Sequence, residues 1–405
     1  MIIFEINAVP YGSTGRIMFQ IADTVQDMGG IAYTSASYTK PRGEQFSDTH
    51  YKIGGAIGKT EHILLAKLTG RHGCYSHFAT YRLIQKIKQV QPDVIHLHNI
   101  HGWYLNWKML FDYLKIASIP VVWTLHDCWP FTGHCPYFTV EKCSKWKTGC
   151  FECPLYRQYP GCFLDDSKKQ YALKKACFSG VPDMTVVTPS QWLADLVKQS
   201  YLSNYHTVVI HNGIDLTKFK PVKSDFREKH NLEEKIVLLG VAFDWSPRKG
   251  IDDFRRLAEE LPEKYAIVLV GVSDAAAKEL PERIVTIACT QSQKELAEIY
   301  SAADLFVNPT LEDNFPTVNL EALACGTPVI TYQTGGSPES LTESCGRVVP
   351  YKDYEALKSV IFEMKEAKTT MSQACIERAQ LYGRDNAYKK YISFYKEVCI
   401  RKAAQ

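Results

Sequence analysis

The chain has 405 residues, of which 45% are hydrophobic and 22% charged, with a formal net charge of +3. That composition belongs to a folded globular protein rather than a disordered one, and the length calls for two domains of roughly 200 residues rather than one core. The modest charge, with no basic stripe interleaved with aromatics, argues against a nucleic-acid binder, and no apolar run approaches the roughly 18–20 residues that cross a bilayer.

In chain order, MIIFEINAV (1–9) reads as a buried strand. No basic segment or small-residue cleavage site precedes it, so no signal peptide is expected and the expected location is cytoplasmic. YGSTGRIMFQIA (11–22) follows and opens a helix. The segment 59–90 mixes Lys, Arg and His with apolar residues. It fits either a peripheral contact with the inner face of the cell membrane, near a lipid-linked acceptor, or ordinary amphipathic helices of a first domain. Further strands are expected at DVIHLH (93–98), PVVWTLHD (120–127), MTVVTPS (184–190) and HTVVIHN (206–212). A second set follows at 235–243, 265–272, 283–289, 304–310 and 327–332, with amphipathic helical stretches such as 249–261 between.

Runs apolar on both faces and separated by helices are the pattern of parallel sheets covered on both sides. The expected class is therefore α/β, with two Rossmann-like domains facing a central cleft. The expected division is 1–213, carrying a cysteine-rich insert at 128–162, then 214–385, then a C-terminal helix at 386–405 packing back on the first domain. In that helix Tyr388, Tyr391, Ile392, Tyr395, Val398 and Cys399 fall at helical spacing. Residues 1–213 carry 21 Lys+Arg against 15 Asp+Glu, and the remainder 26 against 29. The first half is thus suited to an anionic partner, such as a phospholipid headgroup or a pyrophosphate, although ordinary surface variation accounts for it equally well.

The stretch SAADLFVNPTLEDNFPTVNLEALACGTPVITYQTGGSPE (301–339) carries the sharpest signal. A strand ends near Asn308, Pro316 sits where a helix begins, and Gly326 suits its C-terminal cap. The N–H groups of Thr317, Val318 and Asn319 then form a helix start at the end of a parallel strand, a natural phosphate site. Asp313 and Glu321 flank it, and acceptor-only carboxylates suit pairs of ribose or sugar hydroxyls. In the first half, Gly12 and Gly15 let backbone approach a ligand at another helix start, with Arg16 as a further phosphate contact; a tight strand-to-helix turn is the plain alternative. His96, His98, Asn99 and His101 cluster at a strand end. No nearby acidic partner is expected to complete a metal set, so Asn99 and His101 are expected to line an acceptor cleft and His96 to be a satisfied buried histidine.

The 301–339 stretch resembles the E-x7-E region of the retaining, family-four glycosyltransferases of the GT-B fold. The likeness extends through GSTGRI (12–17), HNGID (211–215), PRKG (247–250) and TGGSPE (334–339), so it covers essentially the whole chain. Within that family it is most similar to bacterial capsule, colanic-acid and O-antigen glycosyltransferases that carry an EDN-x-P motif and a cysteine-rich insert after LHD. The resemblance implies a UDP- or GDP-sugar donor on the C-terminal domain and a saccharide or lipid-linked saccharide acceptor on the N-terminal domain, with no catalytic metal. It implies that Glu321 binds ribose, that Asp313 (often Glu in relatives) binds the donor sugar, and that Lys249, helped by Arg248, neutralises the leaving diphosphate. The family's arginine six residues before that lysine is absent; Phe243 stands there. His126 matches a histidine that reaches the donor sugar near its reacting centre, and Asp127 orients it or binds acceptor. A GT-B sugar-nucleotide epimerase and a zinc- or redox-sensing protein are the alternatives.

Six of the 13 cysteines lie between Cys128 and Cys162. Cys150-x2-Cys153 has the spacing of a metal knuckle, and in a cytosolic protein such a cluster fits metal better than disulfides. Cys135, Cys143, Cys150 and Cys153, which match cysteines of the related inserts, are the expected ligands of a structural Zn²⁺. Reduced thiols and disulfides stand as alternatives. Cys128 and Cys162 are substitute ligands, and His134 is a more remote one.

Overall fold

The computed structural model describes residues 1–37 and 47–403. The chain forms two compact units, one of residues 1–211 and 388–405, the other of residues 212–387.

The first unit holds seven strands: β1 (Ile2–Asn7), β2 (Ile31–Ser37), β3 (His50–Ile53), β4 (Val94–Leu97), β5 (Val121–Thr124), β6 (Met184–Thr188) and β7 (His206–Val209). Their order across the sheet is β3-β2-β1-β4-β5-β6-β7, and every pairing is parallel. The second unit holds β8 (Ile236–Val241), β9 (Tyr265–Val270), β10 (Ile284–Ile287), β11 (Leu305–Asn308), β12 (Val329–Tyr332) and β13 (Gly346–Val349). These run in the order β10-β9-β8-β11-β12-β13, again all parallel. Strands such as β4, β5 and β9 are buried along their whole length, as a sheet covered on both faces requires.

β2, β3 and β13 do not stand out in the sequence. The first is small and polar (IAYTSAS), and the other two (HYKI and GRVV) mix charged or polar residues with apolar ones, so none presents the apolar run that marks its neighbours. In each sheet the order reverses beside the first strand, between β1 and β4 and between β8 and β11. At such a point neighbouring connections leave the carboxyl edge in opposite directions and open a crevice.

The core of the first unit is aromatic, with Trp107, Phe111, Trp123, Trp129 and Phe178 in mutual contact. The cysteine-rich insert joins this core rather than standing off it. Cys128, Phe131, Cys135, Phe138 and Trp146 are all buried. Buried Lys174 anchors the insert's start, donating from Nζ to the Trp129 carbonyl at 2.8 Å while its ammonium lies 3.4 Å from the centre of the Trp129 ring. The C-terminal helix, Arg384–Ala403, belongs from Tyr388 onward to the first unit. Its tyrosines enter that unit hydroxyl first: Tyr388 donates to Gln20, Tyr391 meets Thr124, and Tyr395 meets His96 Nδ1 at 2.7 Å. No helix among the described residues is long and apolar enough to cross a membrane.

Candidate active site

In the second unit, three loops leave the carboxyl ends of β8, β11 and β12 and lock together. The first carries a short 3-10 turn, Pro247–Lys249, ending at Gly250 with φ +78°. A side chain on Gly250 would collide with the Pro309 carbonyl. The second loop donates back, from Leu311 N–H to the Arg248 carbonyl, and Arg248 Nη1 donates to the Glu312 carbonyl at 2.8 Å. The third brings Gly335, φ +53°, against Asp313, where a Cβ would strike the Asp313 carbonyl oxygen. Only glycine meets both demands, left-handed backbone and contact distance, at these two places.

The result is an ion pair, Lys249 Nζ to Asp313 Oδ2 at 2.6 Å, with the side chains only 22% and 17% exposed. It sits at the β8/β11 reversal. Phe243, where the family's arginine would stand, points outward and is 85% exposed.

The helix expected after Pro316 is present as Thr317–Ala324. Its start differs from expectation at Asn319. That residue's N–H is taken by the Pro316 carbonyl at 3.2 Å. Its amide side chain accepts from Asn308 and donates to Ser337 and Ser340 in a fully buried network. Asn319 is therefore a brace between loops rather than a ligand contact, because the first turn tightens and consumes the donor. Thr317 and Val318 remain half-buried at the helix start. Glu321, one turn further, is buried and accepts from the Tyr300 hydroxyl at 3.1 Å.

In the first unit, the helix Gly12–Asp27 begins immediately after the β1 loop. Gly12 has φ +73° and open space around it, whereas a Cβ on Gly15 would run into the backbone of Val9 and Pro10. Gly15 thus serves close packing of the helix on its own turn. Arg16 is exposed. At the end of β4, Asn99 N–H donates to Asn7 Oδ1 and the Asn99 carbonyl accepts from Tyr104. His101 is buried between Tyr159 Oη at 2.9 Å and Asp127 Oδ2 at 3.0 Å, and Asp127 Oδ1 caps the Trp129 N–H. Burial alone would raise the Asp127 carboxyl, but the His101 ring and the Trp129 N–H together hold it below its ordinary value. Asp127 therefore orients His101 rather than His126.

His126 is half-buried, and its Nε2 meets His98 Nδ1 at 3.0 Å. Burial is the main cause of its low pKa of about 4, so the ring is neutral at physiological pH. The expectation that His96 and His98 lack an acidic neighbour is wrong. Glu5, from the middle of β1, places Oε2 at 3.0 Å from His98 Nε2 and 3.7 Å from His96 Nδ1. The sheet register supplies it, since Glu5 pairs with His96 across β1 and β4, and no spacing along the chain announces that contact.

All thirteen cysteines are free thiols. Cys135, Cys143, Cys150 and Cys153 line one small pocket. The Gly133 N–H donates to Cys150 Sγ at 3.1 Å. The Cys135 thiol donates a hydrogen bond to Cys153 Sγ, which, with an N–H from Leu155, holds the Cys153 pKa below its ordinary value. Among the described residues no three of these four sulfurs lie within 4.8 Å of one another. The sets that do converge so closely are His72–His134–Cys162 and Glu5–His96–His98. In the first of these the Trp103 indole N–H donates to His72 Nδ1, which leaves the proton of a neutral ring on Nε2 and no lone pair there for a metal.

Residues 60–218 match the family model described as Glycosyltransferase Family 4, and residues 222–382 the one described as Glycosyl transferases group 1. The chain belongs to these glycosyltransferases. The putative colanic acid biosynthesis glycosyl transferase WcaC of Escherichia coli (strain K12) is 24% identical over 91% of this glycosyltransferase and 97% of its own length. Among solved structures, sucrose-phosphate synthase from Thermosynechococcus elongatus superposes with a TM-score of 0.73 at 19% identity, covering 98% of each chain. Anabaena HepE in complex with UDP-glucose gives 0.67 at 15% identity, covering 98% of this chain and 100% of that one. These likenesses show that the glycosyltransferase has the GT-B fold.

Proposed function

We propose that this glycosyltransferase moves a sugar from a UDP- or GDP-sugar onto a saccharide or lipid-linked saccharide, with retention of anomeric configuration, in the synthesis of a cell-surface polysaccharide. The observation that carries the reading is the Lys249–Asp313 pair beside the Thr317 helix start, at the β8/β11 reversal. A cation and unused N–H groups suit a diphosphate, and two nearby carboxylates suit hydroxyls. The name of WcaC supports the polysaccharide role, and the UDP-glucose complex of HepE supports the donor class.

Donor binding brings a diphosphate that competes for Lys249. The ammonium turns to it, and Asp313 is released to accept from sugar hydroxyls while Glu321 grips the ribose. Departure of the diphosphate takes the bonding electron pair with it, and Lys249, with Arg248, stabilises the charge that develops. The acceptor hydroxyl adds to the same face and gives its proton to the departing phosphate oxygen. Asn99 and His101 are assigned to the acceptor, and His126 to the transferred sugar.

The acceptor is assigned to the first unit, where a cavity of about 650 Å³ opens at the ends of β2 and β3. Lys59 and Arg82 line it, and among the described residues neither has an acidic partner. The buried Ser37 hydroxyl, which has no hydrogen-bond partner among the described residues, lines it too. This chemistry suits a phosphate or carboxylate on the acceptor. Exposed Ile57, Leu64, Phe78 and Tyr81 on the helices around it favour a peripheral membrane contact. We further propose that Cys135, Cys143, Cys150 and Cys153 draw together around one structural Zn²⁺, supported by their shared pocket and the N–H donors already aimed at Cys150 and Cys153.

Lys249→Ala is expected to lower kcat/KM for transfer by about 10²–10³-fold while the fold persists, with the wild-type product keeping the donor's anomeric configuration by NMR; near-normal turnover in the variant contradicts the assignment. Replacing Lys59 and Arg82 together by Ala should raise KM for the acceptor by roughly ten-fold or more and leave KM for the donor unchanged, and an unchanged acceptor KM rejects the cavity. Metal analysis of chain purified without a histidine tag should find about one zinc per molecule, whereas zinc-free, fully folded protein rules the four-cysteine site out.

A further inference from the structure

The carboxyl of Glu5 and the ring of His98 have no part in the scheme above, yet they stand in line behind His126. Glu5 and His98 are 0% and 1% exposed. Glu5 Oε2 lies 3.0 Å from His98 Nε2, and His98 Nδ1 lies 3.0 Å from His126 Nε2. The His98 and His126 rings are stacked, 12° from parallel with centroids 5.3 Å apart. Trp123 Nε1–H donates to the His98 carbonyl at 3.1 Å and fixes the backbone that carries the central ring.

We propose that Glu5 and His98 are positioning residues for His126, a buried hydrogen-bonded series that fixes the ring and decides which proton it presents to a ligand. The inference rests on the reading that His126 contacts the transferred sugar.

A neutral imidazole carries one N–H, so the two hydrogen bonds of His98 must run in the same direction. If Glu5 is a neutral acid, its O–H donates to His98 Nε2, His98 Nδ1–H donates to His126 Nε2, and His126 holds its proton on Nδ1. If Glu5 is a carboxylate, all three reverse, and His126 shows a bare lone pair at Nδ1. The surroundings favour the neutral acid. Oε1 of Glu5 is buried with no hydrogen-bond partner among the described residues, a costly state for an ionised carboxylate. Burial, reinforced by Asp23, pushes the Glu5 carboxyl well above its ordinary range, and burial keeps His98 neutral. His96 does not divert the series. Its Nδ1 meets Tyr395 Oη at 2.7 Å and its Nε2 meets Thr124 Oγ1 at 2.8 Å, so every ring nitrogen of His96 and His98 is engaged in a hydrogen bond. His126 is thereby set to offer an N–H, a donor suited to a hydroxyl oxygen of the transferred sugar, rather than a base.

Imidazole ¹⁵N NMR of the full chain tests this, with the His126 signals assigned from His126→Asn. The wild type is expected to show a neutral His126 protonated on Nδ1. Glu5→Gln should leave that tautomer in place, because the amide donates to His98 Nε2 as the acid does. His98→Leu, or Glu5→Leu/His98→Leu if burying Glu5 alone against leucine prevents folding, should return His126 to a mixture of tautomers. The same variants should lose transfer in kcat by roughly ten-fold, the worth of one hydrogen bond, with little change in donor KM. A wild-type His126 protonated on Nε2, or a tautomer indifferent to loss of His98, overturns the proposal. Should His126→Asn transfer as well as wild type, the role given to His126 fails, while the tautomer measurement still decides the series behind it.

Discussion

Parallel pairing throughout both sheets is the constraint from which the candidate site follows. Strands that all run one way release their exits along one edge, and a reversal in strand order lets neighbouring exits diverge. The candidate site residues of the first unit, Gly12, Asn99, His101 and His126, lie on exits from β1, β4 and β5. Those of the second, Lys249 and Asp313, lie on exits from β8 and β11. Loops placed this way still need holding. In the second unit, backbone contact does so, with Gly250 against Pro309 and Gly335 against Asp313. In the first, side chains do so, through the Asp127–His101–Tyr159 and Glu5–His98–His126 series.

The two units handle buried charge differently. Lys249 and Asp313 are paired at 2.6 Å and partly in contact with water, where an ion pair can be exchanged for a ligand at modest cost. Glu5, His96 and His98 have no such access to water. There, neutral forms joined by directed hydrogen bonds are cheaper than any set of ions. A site that binds and releases a diphosphate calls for the first arrangement. A ring that must point one way through many turnovers calls for the second.

Much of this is legible along the chain because it is local. Ten of the thirteen strands announce themselves as doubly apolar runs, and Pro316 and Gly326 mark the ends of the helix that follows β11. The tyrosine spacing of the last helix likewise reveals its buried face. What escapes is decided by register and close approach. IAYTSAS becomes β2 because β1 and β3 need a partner between them, not because of its own pattern. Glu5 looks like one polar residue in an apolar strand, and only its alignment with His96 on β4 gives it two histidine neighbours. Gly15 and Asn319 sit in stretches that read as phosphate-binding, yet one serves packing on Val9 and Pro10 and the other ties Asn308 to Ser337 and Ser340.

The central claim is that the second unit takes a nucleoside diphosphate at the β8/β11 reversal, with Glu321 on the ribose. Calorimetric titration of the whole chain with UDP and with GDP, in wild type and in Glu321→Gln, tests it most directly. The account predicts that one of the two nucleotides binds the wild type at one site per chain and that the substitution weakens it by roughly ten-fold or more, the worth of a charge-assisted hydrogen bond. Binding of neither nucleotide to the wild type, or equal affinity in the variant, would contradict it.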